Sequence, residues 1–132
     1  LDHMSLVGAS GLCHSVVMDG AAEAGGRKLG VRPKERLLLG LGGCTAFDVV
    51  SILRKSRAQM VDCEVELEAE RAEDVPKVFT RIHVHFIVSG KNLDEKKVAR
   101  AVALSADKYC SASQMLAKAA EISHDFEVIN LD

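Results

Sequence analysis

Four cysteines, at positions 13, 44, 63 and 110, carry the most reactive chemistry open to this chain. Their spacings hold no CxxC pair and no zinc-finger pattern, so structural zinc is not expected. A free cysteine acts as a nucleophile through its thiolate, which requires surroundings that lower its pKa from about 8.5. Cys44 stands in Gly42-Gly43-Cys44-Thr45, in the middle of an otherwise apolar run. Two glycines in a helix cost about 1 kcal/mol each against alanine. In return they permit a kink or a close backbone approach, and either would put the Cys44 sulfur at a packing seam. The competing reading is that Cys44 is a small core hydrophobe. Cys110 lies in Lys108-Tyr109-Cys110-Ser111-Ala112-Ser113, at an expected junction between two helices. Backbone N–H groups there would favour a thiolate, and a core cysteine at a helix end fits equally well. Cys63 falls among the inward residues of an alternating strand and is assigned to packing.

The other metal-binding types are the histidines. His83 and His85 stand at HxH spacing on one face of an expected strand, but no third ligand is suggested by spacing. They are read as an outward face that balances glutamates, and no metal site is expected anywhere in the chain.

The element that must position Cys44 is residues 33–57. Pro33 suits a first helical turn, Glu35 complements the positive end of the macrodipole, and Arg54, Lys55 and Arg57 complement the negative end. Between them Leu37, Leu38, Leu39, Leu41, Phe47, Val49, Val50, Ile52 and Leu53 point all around the helical wheel, which predicts a central helix buried on every side. Gly40, Gly42, Gly43, Thr45, Asp48 and Ser51 interrupt the run and argue against a membrane span.

Before that helix, residues 12–19 read as a strand closed by Asp19-Gly20, and residues 21–31 as a mobile basic loop. Residues 1–10 carry no fold signal, and Leu1–His3, ahead of Met4, are left open as native or added sequence. After it, residues 61–69 alternate Val, Cys, Val, Leu, Ala against an acidic row, and residues 78–89 return with Ile82, Val84, Phe86 and Val88 on one face. The two strands should pair antiparallel through a hairpin at 70–77, setting Arg81, His83 and His85 opposite the glutamates. Asn92 is the expected cap of a helix whose stripe is Val98, Val102 and Ala106, with Tyr109 near the same face. A short helix over 114–121, capped by Ser111 or Ser113, and a last strand over 122–129 complete an α/β (α+β) chain of one domain, residues 1–132.

The size, 132 residues, supports one aliphatic core, since 48% of residues are hydrophobic and only 4% aromatic. A net charge of −2 supplies no field for nucleic acid or an anionic membrane, and neither partner is expected. No signal peptide is visible, so the expected compartment is the cytoplasm, where cysteines stay free, redox-active or metal-binding.

The stretch Gly30-Val31-Arg32-Pro33 through Lys55, with GLGGCTAFDVVSIL at its centre, the acidic strand after it, and SADKYCSASQML at 105–116 together resemble the OsmC/Ohr family, osmotically induced protein C and the organic hydroperoxide resistance proteins. The resemblance runs from about Ser10 onward and is greatest to the YhfA-like branch. It implies an OsmC-like fold, with strands wrapped around long central helices in an intertwined homodimer. It implies a thiol-dependent peroxidase: Cys44 attacks an organic hydroperoxide and becomes a sulfenic acid, Cys110 condenses with it to a disulfide, and a dithiol such as a dihydrolipoyl protein restores both thiols. No cofactor is implied. Leu38, Leu41 and Phe47, at helical spacings of three or six from Cys44, and Glu35, the glutamate nearest the family's acidic position, are the expected substrate-binding residues.

Two positions depart from the family pattern. Lys34 stands where the best-studied branch has the glutamate that holds an arginine over the reactive sulfur, leaving Glu35 as the nearest acid and Arg27, Arg32 and Arg36 as candidate cations. Ser111 stands where proline commonly follows the second cysteine. The alternative expectation is therefore an OsmC-fold stress protein that senses oxidants or binds a small apolar ligand without efficient turnover.

Overall fold

The computed structural model describes residues 3–132, so Leu1 and Asp2, and with them part of the expectation for Leu1–His3, lie outside the described residues. The chain divides into two compact units, Leu1–Leu39 and Gly40–Asp132.

In the first unit, β1 (Leu6–Ala9) and β2 (Ser15–Met18) form an antiparallel hairpin. The strand expected over 12–19 is shortened because Cys13 takes a positive φ of 65° in the turn, and β1 carried no sequence signal. The segment 21–31, expected to be mobile, is tied down by one buried carboxylate. Asp19 accepts hydrogen bonds from the N–H groups of Gly20 (2.8 Å), Arg27 (3.0 Å) and Leu29 (3.1 Å), and its own N–H donates to the Val31 carbonyl. Desolvation alone would raise the Asp19 pKa; the N–H groups of Leu29, Arg27 and Gly20 and the Ser5 hydroxyl outweigh it and hold the carboxyl below its ordinary value. Gly26 closes this loop because a Cβ there would collide with the Gly20 carbonyl oxygen.

The helix α1 (Pro33–Lys55) begins in the first unit and ends in the second. It stops two residues before the expected end, where Ser56 Oγ donates to the Leu53 carbonyl and Arg57 turns to φ 60°. Its buried residues are Leu41, Thr45, Val49 and Leu53, a stripe at every fourth position, with Gly42 beside it. The expectation of burial on all sides is not met in the single chain: Leu37 is 55% and Phe47 73% exposed. The sequence argument against a membrane span also needs correcting, because by length and composition alone this helix is apolar enough to cross a bilayer. What it does here is pack its stripe inward, with Gly42 so close to Leu67 that a Cβ would lie 2.7 Å from the Leu67 Cδ1.

The second unit is built on a three-stranded sheet in the order β3-β4-β5: β3 (Met60–Arg71), β4 (Phe79–Gly90) and β5 (Glu121–Asn130). β3 and β4 are antiparallel in the expected register, with Glu66 opposite His85, Glu68 opposite His83 and Glu70 opposite Arg81. Ile82, Val84, Phe86 and Val88 are buried, each worth about 1.5–3 kcal/mol relative to exposure. β5 joins β4 in parallel, so the chain between them must cross back over the sheet, and it does so through α2 (Glu95–Leu104), a π-type turn (Ser105–Tyr109) and α3 (Ser111–Leu116).

The details of that crossover differ from the sequence expectation in three ways. Asp94, not Asn92, caps α2, its carboxylate accepting from the Lys96 N–H at 3.0 Å while Asn92 sits at φ 49°. The stripe of α2 is Val98, Ala101, Val102 and then Ser105; the wider π turn carries Ala106 and Tyr109 off that face and leaves Tyr109 exposed. Cys110, rather than Ser111 or Ser113, caps α3, which runs only to Leu116.

On the outer face of the sheet the histidines are matched from β5 more closely than from β3. His83 Nε2 and His85 Nδ1 both contact Asp125 Oδ1, at 2.8 and 2.7 Å, and His85 Nε2 lies 3.1 Å from Glu127 Oε1. Hydrogen bonds to Asp125 and Glu127 raise the His85 pKa, and the same contact holds Asp125 below its usual value.

Candidate active site

The second unit brings Cys44 and Cys110 together across 66 residues of sequence. α1 presents Cys44 half-buried, one residue before Thr45, whose side chain is folded back onto the Leu41 and Gly42 carbonyls. The Thr45 carbonyl accepts from Ser105 Oγ at 3.1 Å, and the Ser105 carbonyl accepts from the Cys110 N–H at 2.9 Å. Ser105 is thus the clasp between the two sulfur-bearing segments, and it is wholly buried. The i→i−5 bond from Cys110 to Ser105 is the closing bond of the π turn, a helix defect that recurs at functional sites.

Cys110 is also wholly buried, and its Sγ accepts from the Ser113 N–H at 3.4 Å. Burial pushes the Cys110 thiol up, the Ser113 hydrogen bonds offset part of this, and the adjacent Cys44 adds to it. One turn beyond Cys44 on α1, a carboxylate oxygen of Asp48 completes the group: Cys44 Sγ, Asp48 and Cys110 Sγ lie within 4.8 Å of one another. Asp48 Oδ2 is buried and has no hydrogen-bond partner among the described residues.

Two depressions of the second unit lie along α1, and Asp48 lines the first of them. One, about 520 Å³, is walled by Asp48, Lys55, Arg100, Leu104 and Tyr109. The other, about 570 Å³ and mostly apolar, is formed by Gly43, Ala46, Phe47, Val50 and Arg54. Phe47 therefore stands where an apolar ligand could reach it, whereas Leu41 is 1% exposed and packed inside. Glu35 is engaged at the start of α1, accepting from the Arg32 N–H at 3.1 Å, and Leu38 is half-buried in the first unit. Cys63 is pushed up to about 11 by burial and by Asp62, in keeping with a packing role. Sequence reasoning missed Asp48 and Ser105. For Asp48 the available signal was a lone acid four residues after Cys44 in an apolar helix; for Ser105 there was none.

Such a fold and site define a class of small α+β protein that stations one cysteine on a long helix and a second at the end of a helical crossover. The chain belongs to the OsmC-like protein family, whose model matches residues 24–125. It is 48% identical to Protein YhfA of Escherichia coli strain K12 over 129 residues, 98% of this chain and 93% of that one. A chain solved by structural genomics, 45% identical, superposes with a TM-score of 0.89 over 99% of this chain and 95% of its own. The organic hydroperoxide resistance protein OhrB of Bacillus subtilis, at 20% identity, shares the fold with a TM-score of 0.61 over 93% of this chain and 97% of its own.

Proposed function

We propose that this protein is a thiol-dependent peroxidase that reduces organic hydroperoxides in oxidative-stress defence, with Cys44 as the attacking and Cys110 as the resolving cysteine. The observation that carries the reading is the approach of the two sulfurs within 4.8 Å on segments joined by the Ser105 hydrogen bond. Their exposure supports this order, since Cys44 is half-buried and Cys110 is buried. The Cys44 thiolate attacks the outer oxygen of ROOH, the O–O bond breaks, and the alkoxide takes a proton and leaves as ROH. Cys44 is then a sulfenic acid. Cys110 gives up its proton, its sulfur attacks the Cys44 sulfur, and water leaves as the disulfide closes to about 2.0 Å. The Asp48 carboxylate, with an oxygen within 4.8 Å of the Cys110 sulfur, is the candidate acceptor of that proton. A dithiol of the dihydrolipoyl class reduces the disulfide by exchange, regenerating both thiols.

The apolar depression at Phe47 suits an alkyl or aryl group on the peroxide. The exposed Leu37, Leu39 and Phe47 support a homodimer that covers the outer side of α1, as in the arrangement the family resemblance implies. A cytoplasmic setting suits a cycle that must be re-reduced. Steady-state consumption of cumene hydroperoxide with a lipoyl donor tests the reading: Cys44→Ser should abolish it, and undiminished turnover in that variant would end it. A second reading, an oxidant sensor without efficient turnover, draws on the raised Cys110 pKa, which slows resolution; a sulfenic acid at Cys44 that persists while peroxide remains in excess would favour it.

A further inference from the structure

Two thiols and an orphaned carboxylate in one small space are also a ligand set. We propose that the reduced protein binds one divalent cation of the zinc class through Cys44 Sγ, Asp48 and Cys110 Sγ, with a fourth position open to solvent. Points no more than 4.8 Å apart share a centre within about 2.8 Å of each, so a contraction of about 0.5 Å at the sulfurs and about 0.8 Å at the carboxylate reaches the 2.3 Å and 2.0 Å of zinc–sulfur and zinc–oxygen bonds. Two sulfurs and one oxygen select a borderline-soft ion over magnesium or calcium, which take all-oxygen sites.

The framework for such a site is already in place. Cys44 and Asp48 stand one turn apart on α1, on the same face, and Cys110 is anchored by the Ser105 and Ser113 hydrogen bonds. Asp48 Oδ2 lacks the partner that a buried carboxylate oxygen requires, and a cation would supply it. Access is through the half-buried Cys44 and the cavity beside Asp48, where Lys55 and Arg100 favour an anionic or water-derived fourth ligand. Binding displaces two thiol protons and therefore strengthens as pH rises.

This site lies beyond the peroxidase reading and does not depend on it. It would, however, be exclusive with turnover. When ROOH takes two electrons from the paired sulfurs and two protons from solvent, giving ROH, water and the disulfide, two of the three ligands vanish and the cation leaves.

Cobalt(II) is the probe, added to phosphine-reduced, anaerobic protein. One equivalent per chain should give thiolate-to-cobalt charge-transfer absorption with tetrahedral d–d bands, and one equivalent of zinc should erase both. Asp48→Asn should weaken cobalt binding at least about tenfold, and Cys110→Ser and Cys44→Ser should each remove the two-thiolate spectrum. A Cys13→Ser, Cys63→Ser double variant should leave it intact. Circular dichroism checks that each variant folds, and Cys44→Ser, on the accessible side, serves if Cys110→Ser does not. No charge-transfer band at stoichiometric cobalt, a band unchanged in either single cysteine variant, or an unchanged affinity in Asp48→Asn overturns the proposal. Peroxide turnover is read separately on metal-free protein, so its absence alongside intact cobalt binding would count against the peroxidase alone.

Discussion

Ser105→Ala removes the clasp between the two cysteine segments while leaving both sulfurs in place. The lost bond is the 3.1 Å contact from Ser105 Oγ to the Thr45 carbonyl, between two fully buried residues. A neutral hydrogen bond contributes about 1 kcal/mol net, and the carbonyl left with one partner fewer adds to the loss, giving an expected destabilisation of about 1–2 kcal/mol. At this chain length that lowers Tm by roughly 3–8 °C. The restraint also holds Cys110 near Cys44, because the Ser105 carbonyl carries the Cys110 N–H. Losing about 1 kcal/mol of positional order should lower the equilibrium for the Cys44–Cys110 disulfide about fivefold.

The assay is equilibration in dithiothreitol buffers of graded potential, with the disulfide fraction read by mass spectrometry, beside urea unfolding. Ser56→Ala is the control, since Ser56 Oγ donates to a backbone carbonyl, that of Leu53 at 2.9 Å, in a local, part-buried bond that joins no two segments. It should lose stability without a shift in the disulfide equilibrium. A Ser105→Ala protein that is destabilised but forms the disulfide as readily as the parent would refute the clasp, and one unchanged in both would refute the hydrogen bond.

Gly42→Ala gains about 1 kcal/mol of helix propensity but drives a methyl to 2.7 Å from Leu67 Cδ1. The clash falls on the terminal methyl of Leu67, which can swing aside, so the net change should stay within about 1 kcal/mol of zero; Gly42→Ala and Leu67→Ala should couple in a double-mutant cycle, and strict additivity would contradict the close approach. Thiol alkylation near neutral pH should modify exposed Cys13 quickly and Cys63 about a hundredfold more slowly than an ordinary thiol, given its pKa near 11; equal rates would contradict the burial of Cys63.

The histidine network should leave a pH signature in stability. His85, raised in the folded protein, adds stability that is complete below its unfolded value near 6.5 and lost as pH climbs through its folded one; Asp125, lowered, adds stability above about 3.9 that is lost as pH falls through its folded value. Urea midpoints of His85→Gln should therefore vary less with pH above about 6.5 than those of the parent. An unchanged slope there would show that the pairing does not contribute.

How much of this was legible in the sequence depends on the range of the signal. Alternation is local, so β3, β4 and β5 and the placing of Arg81, His83 and His85 opposite the glutamates could be read directly, though not which glutamate faces which histidine. Identical caps compete within a few residues, so Asn92 was chosen where Asp94 serves. The π turn has no periodicity of its own, and with it the burial of Ser105 and the exposure of Tyr109 were invisible. The wheel of α1 correctly marked an apolar helix, but a single chain cannot cover all of it, and Leu37 and Phe47 stay outside. The two cysteines are too far apart in sequence for spacing to join them; only the family resemblance paired them, and it gave no hint of Asp48, which looked like a break in an apolar run.

The central claim, that Cys44 and Cys110 form a working redox pair, is tested most directly by adding one equivalent of cumene hydroperoxide to the reduced protein and mapping its disulfides by mass spectrometry. The expected result is rapid loss of two hydrogens with a single Cys44–Cys110 link, leaving Cys13 and Cys63 as thiols. Four unreacted thiols, or a link that involves Cys13 or Cys63 instead, would contradict it.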